Sequence, residues 1–161
     1  MIDLRANFPR GRTVDGTLAA YADGVLIAGP WPCSGRAAGD DARKHANPTR
    51  DPRLSYGDHP LGTWEIVSVE EKPATQRDTY GRWFARLRAI DGEAKEAEMA
   101  GRAGIGIHSG ALDVHDLDGD GRTDDLRRTH GCLRTTDEAM EWIAARAAEG
   151  VPMRLESGVW P

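Results

Sequence analysis

The chain has 161 residues, 29% of them charged, and a formal net charge of −5; that size holds one domain with one hydrophobic core and needs no staples. The basic residues are scattered, which excludes a nucleic-acid footprint and a polybasic membrane patch, and no apolar run approaches the ~18–20 residues of a membrane span. With 19 glycines and 9 prolines the composition suits a β-rich fold with many turns, and no repeat divides the single unit 1–161.

From the N-terminus, Met1 to Pro9 lacks the basic segment, apolar stretch and small-residue cleavage site of a secretory signal. Thr17–Tyr21 and Val25–Ala28 are apolar runs joined by Ala22-Asp23-Gly24, the signature of a tight β-hairpin. Residues 29–60 are rich in Gly, Pro, Asp and Arg without periodicity and read as one long loop, which inside a compact domain is usually functional. Thr63–Val69 and Gly81–Ile90 alternate as strands, with Trp83, Ala85, Leu87 and Ala89 on one face and Arg82, Arg86 and Arg88 on a solvated one. Glu93–Arg102 is a short helix candidate. Gly104-Ile105-Gly106-Ile107-His108-Ser109-Gly110 reads as a short strand delivering a histidine.

Asp116, Asp118, Asp120 and Asp124, with Gly121, stand at the first, third, fifth, ninth and sixth places of a calcium-type loop, where oxygen ligands surround a hard cation. The twelfth place is Arg127 and no flanking helix pair is evident, so an acidic, solvated hairpin tip is the alternative. A bound calcium here would be structural. His115 beside His108, His130 and Cys132 raises zinc, but no pair has zinc-finger spacing and a metal on Cys132 would quench it.

Thr129-His130-Gly131-Cys132-Leu133-Arg134-Thr135 carries the densest chemistry. Residues i and i+2 of an extended chain share a face, so His130 and Cys132 are expected side by side as base and nucleophile. Gly131 would leave a backbone amide free for a developing oxyanion. A buried cysteine beside a structural histidine would look the same on these residues alone. Thr135 and Glu138 form a capping box for a helix carrying Met140, Ile143, Ala144 and Ala147 on one face, which Gly150 ends. Val151, Met153 and Leu155 then alternate as a closing strand. Cys132 would thus lie at a strand end just before a helix N-terminus, which lowers a thiol pKa. Cys33 is expected as a free, buried thiol; a Cys33–Cys132 bridge would silence the nucleophile.

In their order and chemistry, Pro60-Leu61-Gly62-Thr63, Ile107-His108 and Thr129-His130-Gly131-Cys132-Leu133-Arg134 resemble the catalytic domain of L,D-transpeptidases, the YkuD-like family, from about Thr17 to Leu155. The resemblance implies a mainly β fold with some α, a β-sandwich-like catalytic domain with one clear helix after the cysteine. It implies a Cys132 thioester on peptidoglycan stem tetrapeptides, formed at the bond between a meso-diaminopimelate-type L-centre and D-alanine. Transfer to an amine gives a 3→3 cross-link or D-alanine exchange; transfer to water makes an L,D-carboxypeptidase. His108 with its neighbour Ser109 would line the site, Arg134 would bind a substrate carboxylate, and the Thr129 hydroxyl or a backbone carbonyl would orient the imidazole. His59 has no counterpart and reads as a surface residue. No cofactor is required, reaction with carbapenems is expected, and the absence of Ser-x-x-Lys excludes the serine D,D-enzymes.

Such enzymes work outside the cytoplasmic membrane, so the protein is expected in the periplasm, the cell envelope or secreted, as a monomer whose partner is peptidoglycan. Without a visible signal it would be a form lacking its leader or cargo of a dedicated secretion machinery, the latter making it a wall-targeting effector. A papain-like peptidase is disfavoured by the order of cysteine and histidine. A non-catalytic, calcium-dependent wall-binding module would not need the Cys132–His130 pair.

Overall fold

Eight strands close into a barrel in the order β1-β2-β3-β7-β6-β5-β4-β8 in the computed structural model, which describes residues 1–12, 14–110, 126 and 128–160. The strands are β1 Ile2–Asn7, β2 Gly16–Ala22, β3 Val25–Ser34, β4 Gly62–Glu71, β5 Trp83–Asp91, β6 Gly106–His108, β7 Leu133–Thr135 and β8 Met153–Gly158. Four short α-helices accompany them: α1 Gly39–Lys44, α2 Arg77–Tyr80, α3 Glu93–Met99 and α4 Asp137–Ala148. The mainly β architecture with one longer helix after Cys132 is the one the sequence led us to expect.

Period-two alternation explains the barrel wall. Ile2, Leu4 and Ala6 of β1 point inward and meet Leu155 and Met153 of β8, with Leu4 and Leu155 fully buried. Leu18 and Ala20 of β2, Ile107 of β6 and Leu133 of β7 complete an interior sealed by Met140 and Ile143 of α4. The β2–β3 hairpin turns at Asp23 and Gly24, whose φ values of 50° and 79° are the left-handed pair a tight two-residue turn needs.

Three features depart from the sequence reading. The first strand, β1, pairs with both β2 and β8, although its Ile2/Leu4/Ala6 alternation drew no assignment. Residues 29–60 are not all loop: β3 runs on to Ser34, because Trp31 and Cys33 face the core, and α1 follows with Asp40 and Asp41 in its first turn and Arg43 and Lys44 in its last, a charge order that suits the helix dipole. The cap of α4 is Thr136, whose side chain accepts from the Ala139 N–H at 3.2 Å. Thr135 instead ends β7 and donates its hydroxyl to Pro32 O at 2.8 Å.

Leu155 is fully buried between β1 and β4. Its replacement by alanine is expected to lower unfolding free energy by about 2–5 kcal/mol, read as a lower denaturant midpoint at unchanged slope; an unchanged midpoint would show that this seam does not hold the barrel.

Candidate active site

Three neighbouring strands place the chemical groups. The register pairs Phe84 with His108 and Arg86 with Gly106 across β5 and β6, and Ile107 with Leu133 and His108 with Arg134 across the parallel β6 and β7. With Ile107 and Leu133 pointing into the core, their neighbours His108 and Arg134 point outward. Cys132, two residues before Arg134, shares that outer face. Phe84–His108–Arg134 therefore makes one row, and in the next Arg86 pairs with Gly106, whose backbone N–H reaches the Cys132 thiol. The face is the floor of a cleft of about 550 Å³ whose lining includes Tyr56, Lys72, Tyr80, Arg102, His130 and all of these residues except Gly106.

His130 and Cys132 both reach this cleft, but they are not hydrogen-bonded to each other. Gly131 has φ of 121°, so the chain bends there and the extended geometry that would align positions 130 and 132 is lost. The exposed His130 ring contacts Asp41 of α1, Nε2 to Oδ2 3.0 Å, and tilts against Tyr56 at 4.8 Å between centroids. Tyr56 in turn stacks on His45 at 3.7 Å. His130 thus sits on the cleft rim.

The imidazole that shares the face of Cys132 is His108. It is buried, with Nδ1 3.0 Å from Ser109 O; a carbonyl only accepts, so Nδ1 carries the proton and Nε2 keeps its lone pair. Nε2 has no hydrogen-bond partner among the described residues. Burial foremost, aided by the positive charges of Arg134 and Lys72, holds the His108 pKa down to about 3 against an upward pull from the Ser109 carbonyl, so the ring is neutral at pH 7. Its plane lies against Phe84 at 5.8 Å and its edge against Tyr80 at 5.1 Å.

Cys132 is half-buried, its sulfur 3.8 Å from Gly104 O. Desolvation pushes its thiol pKa up, opposed by the Gly106 backbone N–H and by the charges of Arg102 and Arg134. The expected lowering by a helix N-terminus is absent because Cys132 precedes β7 rather than ending a strand, and α4 starts only after that strand. Thiol and imidazole are therefore both neutral in the resting protein. Cys33 is a free thiol sealed in the core, its pKa also raised by burial, and no disulfide joins it to Cys132.

The other motif residues shape the turn. Thr129 Oγ1 donates to Cys132 O at 2.8 Å and accepts from Gly131 N–H at 3.1 Å. Its hydroxyl is thus spent on the backbone and does not orient the His130 ring, and the Gly131 amide is not free for an oxyanion. Arg134 lies buried in the cleft floor and donates to Gly110 O at 2.8 Å and Thr79 O at 3.2 Å. Ser109 does not line the cleft: its hydroxyl hydrogen-bonds Asp137 at the start of α4. Asp116, Asp118, Asp120 and Asp124 lie outside the described residues, and among the described residues no group of three His, Cys, Asp or Glu is placed to hold a metal.

Two residues that sequence reasoning passed over hold the site together. Arg102 follows α3 and is buried; its guanidinium donates to Asp58 O at 2.8 Å, Gly57 O at 2.7 Å and His130 O at 3.1 Å, and also to Pro52 O. His59, read from sequence as a surface residue, is fully buried with Nδ1 3.2 Å from Gly131 O, and burial drops its pKa to about 3. A buried, neutral imidazole is the better donor here because it brings no charge into the core. No sequence signal marks Arg102. For His59 the adjacent Pro60-Leu61-Gly62 turn was the available hint.

The model of the L,D-transpeptidase catalytic domain family, YkuD, matches residues 13–155, and the chain belongs to this family. Solved structures of similar fold include Bd1075 from Bdellovibrio bacteriovorus, 11% identical with a TM-score of 0.52, covering 96% of this chain and 46% of that one. An L,D-transpeptidase from Xylanimonas cellulosilytica DSM 15894 is 13% identical with a TM-score of 0.51, covering 98% and 60%. At these identities the likeness is one of fold, and the chain spans about half the length of these structures. No curated protein sequence matches it.

Two measurements probe the turn and the thiol. A Cβ on Gly131 would meet Arg102 Nη2 at 1.6 Å in a backbone conformation that side chains rarely adopt, so Gly131→Ala is expected to lose about 2 kcal/mol or more of stability, visible as a lowered melting temperature; a wild-type value would show that the turn yields cheaply. A thiol pKa raised above 9.0 leaves little thiolate at neutral pH, so the rate of iodoacetamide alkylation of Cys132 should still be climbing at pH 9. A plateau reached by pH 7 would mean a thiolate–imidazolium pair instead.

Proposed function

We propose that the protein is an L,D-transpeptidase that forms a thioester through Cys132 on the stem tetrapeptides of peptidoglycan. The observation that carries this reading is the common outer face of His108, Cys132 and Arg134 in one cleft. Family membership supports the chemistry, and the cleft is large enough for a peptide rather than a single amino acid.

Cys132 attacks the carbonyl at the L-centre of the diaminopimelate-type residue, and the thiol proton passes to the free Nε2 of His108. The C–N bond to D-alanine then breaks, and His108 returns the proton to the departing amine. An amine of a second stem attacks the thioester, gives its proton to His108 and releases the thiol, leaving a 3→3 cross-link. Water in place of the amine gives L,D-carboxypeptidase activity, the outcome wherever water competes for the thioester. We assign His108 the role that His130 held on sequence grounds, because it shares the outer face and the cleft with Cys132 while His130 is engaged by Asp41. Arg102 and Arg134 place positive charge at the sulfur, where it stabilises the thiolate and the tetrahedral oxyanion. None of these steps calls on a cofactor. Peptidoglycan as partner places the working protein at the cell envelope.

Incubation with disaccharide-tetrapeptide fragments, followed by mass spectrometry, separates the outcomes: D-alanine loss marks hydrolysis and a doubled mass less D-alanine marks cross-linking. Cys132→Ala is expected to abolish both products, and either product persisting removes the nucleophile assignment. His108→Gln should lower kcat by about 10²–10⁴-fold, and His130→Gln by less than about tenfold; the reverse order would restore His130 as the base.

A further inference from the structure

Resting on the transpeptidase reading, the charges of the cleft bear on which donor stems it takes. Its described lining includes Lys72, Arg86, Arg102, Arg128 and Arg134 and no aspartate or glutamate, in a chain whose net charge is −5. Among the described residues, carboxylates behind the lining match Lys72 and Arg86 incompletely. Lys72 Nζ at 3.7 Å and Arg86 Nη2 at 3.2 Å share a single carboxylate, that of Glu70. Arg128 has Asp15 at 3.1 Å, and the hydrogen bonds of Arg102 go to neutral carbonyls. Among the described residues, Lys72 and Arg86 are thus two cations matched by one carboxylate.

The excess at Lys72 and Arg86 has a defined position. Arg86 pairs with Gly106 across β5 and β6, and the Gly106 backbone N–H reaches the Cys132 thiol just before β7, so with strands ~4.8 Å apart Arg86 and Cys132 are within about 10 Å of each other. The Phe84 ring lies over Gly106 between them, where a Cβ would strike it at 2.3 Å, and both ends of this row line the same cleft. Lys72 extends over Phe84, Nζ 4.8 Å from the ring centroid, and over Tyr80 at 5.5 Å, which holds its ammonium at the same end of the cleft. The Arg86 side chain is 47% exposed and that of Lys72 18%, so both heads remain reachable from solvent. A peptide whose reacting carbonyl sits at Cys132 brings a group one residue away to this pair. A carboxylate there completes the half-matched charge; a carboxamide offers no charge to it.

We propose that Lys72 and Arg86 select donor stems that carry free carboxylates on the residues before the terminal D-alanine, over stems in which those carboxylates are amidated. The discrimination is electrostatic and only partly buried, so it is about tenfold at low ionic strength and shrinks as salt brings the screening length below ~8 Å.

The test uses two synthetic tetrapeptides, both ending in D-alanine with its carboxylate free, one with the glutamate and diaminopimelate carboxylates free and one with them as primary amides. Titration calorimetry on Cys132→Ala should give about tenfold tighter binding of the acid form at low salt, converging with the amide form as sodium chloride is raised. In the Lys72→Gln/Arg86→Gln variant on the same background, its fold checked by melting temperature, the preference should vanish. Equal affinities, tighter binding of the amide, or a preference that survives in the double variant would overturn the proposal. With wild-type enzyme the selectivity should reside in KM more than in kcat. Acid-selective binding to Cys132→Ala without any product from wild-type protein would retain the charge selection and remove the transpeptidase reading, so the two can fail separately.

Discussion

One buried guanidinium ties the site to the fold. Arg102 collects the carbonyls of Pro52, Gly57 and Asp58 from one segment and that of His130 from another, and so joins the wall of the cleft to the turn that precedes Cys132. A buried arginine stays charged, and the desolvation it suffers must be offset by acceptors around the planar fork. Backbone carbonyls held at fixed angles do this without adding a carboxylate that would oppose a thiolate. The same placement dictates Gly131, since no side chain fits between the turn and the guanidinium. The glycine of His-Gly-Cys is thus explained by the arginine packed against it rather than by an amide left open for an oxyanion.

Around that contact the loop 45–58 is organised from within. Asn47 is fully buried and donates to Asp51 O at 3.0 Å and Ser55 O at 3.3 Å while its side-chain oxygen accepts from Asp51 N–H at 2.8 Å. Asp58 accepts from the Ala37 N–H at 2.8 Å and from Arg50 at 3.2 Å. A segment with few apolar residues keeps a defined shape because its buried polar groups are paired. Its outer products are Tyr56 and, through α1, Asp41, which together fix His130 at the rim.

What could be read from the sequence follows from the range of the interactions involved. The β2–β3 hairpin, β5, α4 and β8 were legible because each is set by local periodicity and turn chemistry, and Cys132 and His108 because their short motifs carry their own chemistry. The expected side-by-side placing of His130 and Cys132 is not the one the structure has. The same-face rule is sound for an extended chain, but whether positions 130–132 are extended depends on Gly131, and that depends on Arg102, 29 positions upstream. His59 was taken for a surface residue for the same reason, its burial being decided by Gly131 and Trp64 rather than by its neighbours. Arg86 was assigned to a solvated face correctly as to exposure, yet only the β5–β6–β7 register reveals that this face is the floor of the cleft.

The electrostatics of the pair Cys132 and His108 bear on how such a site stays selective. A thiolate–imidazolium pair formed in advance attacks any electrophile that diffuses in, whereas burial here favours the neutral forms of both groups. The proton transfer that creates the nucleophile then needs help, and the positive charges of Arg102 and Arg134 supply part of it only where the sulfur carries charge. A bound peptide that displaces water from the cleft strengthens those same interactions, because the effective dielectric constant between the charges falls once solvent is gone. In the proposed mechanism reactivity is thereby coupled to occupancy: the groups that suppress the thiolate in the empty cleft and those that stabilise it in the filled one belong to a single arrangement of sheet, turn and guanidinium.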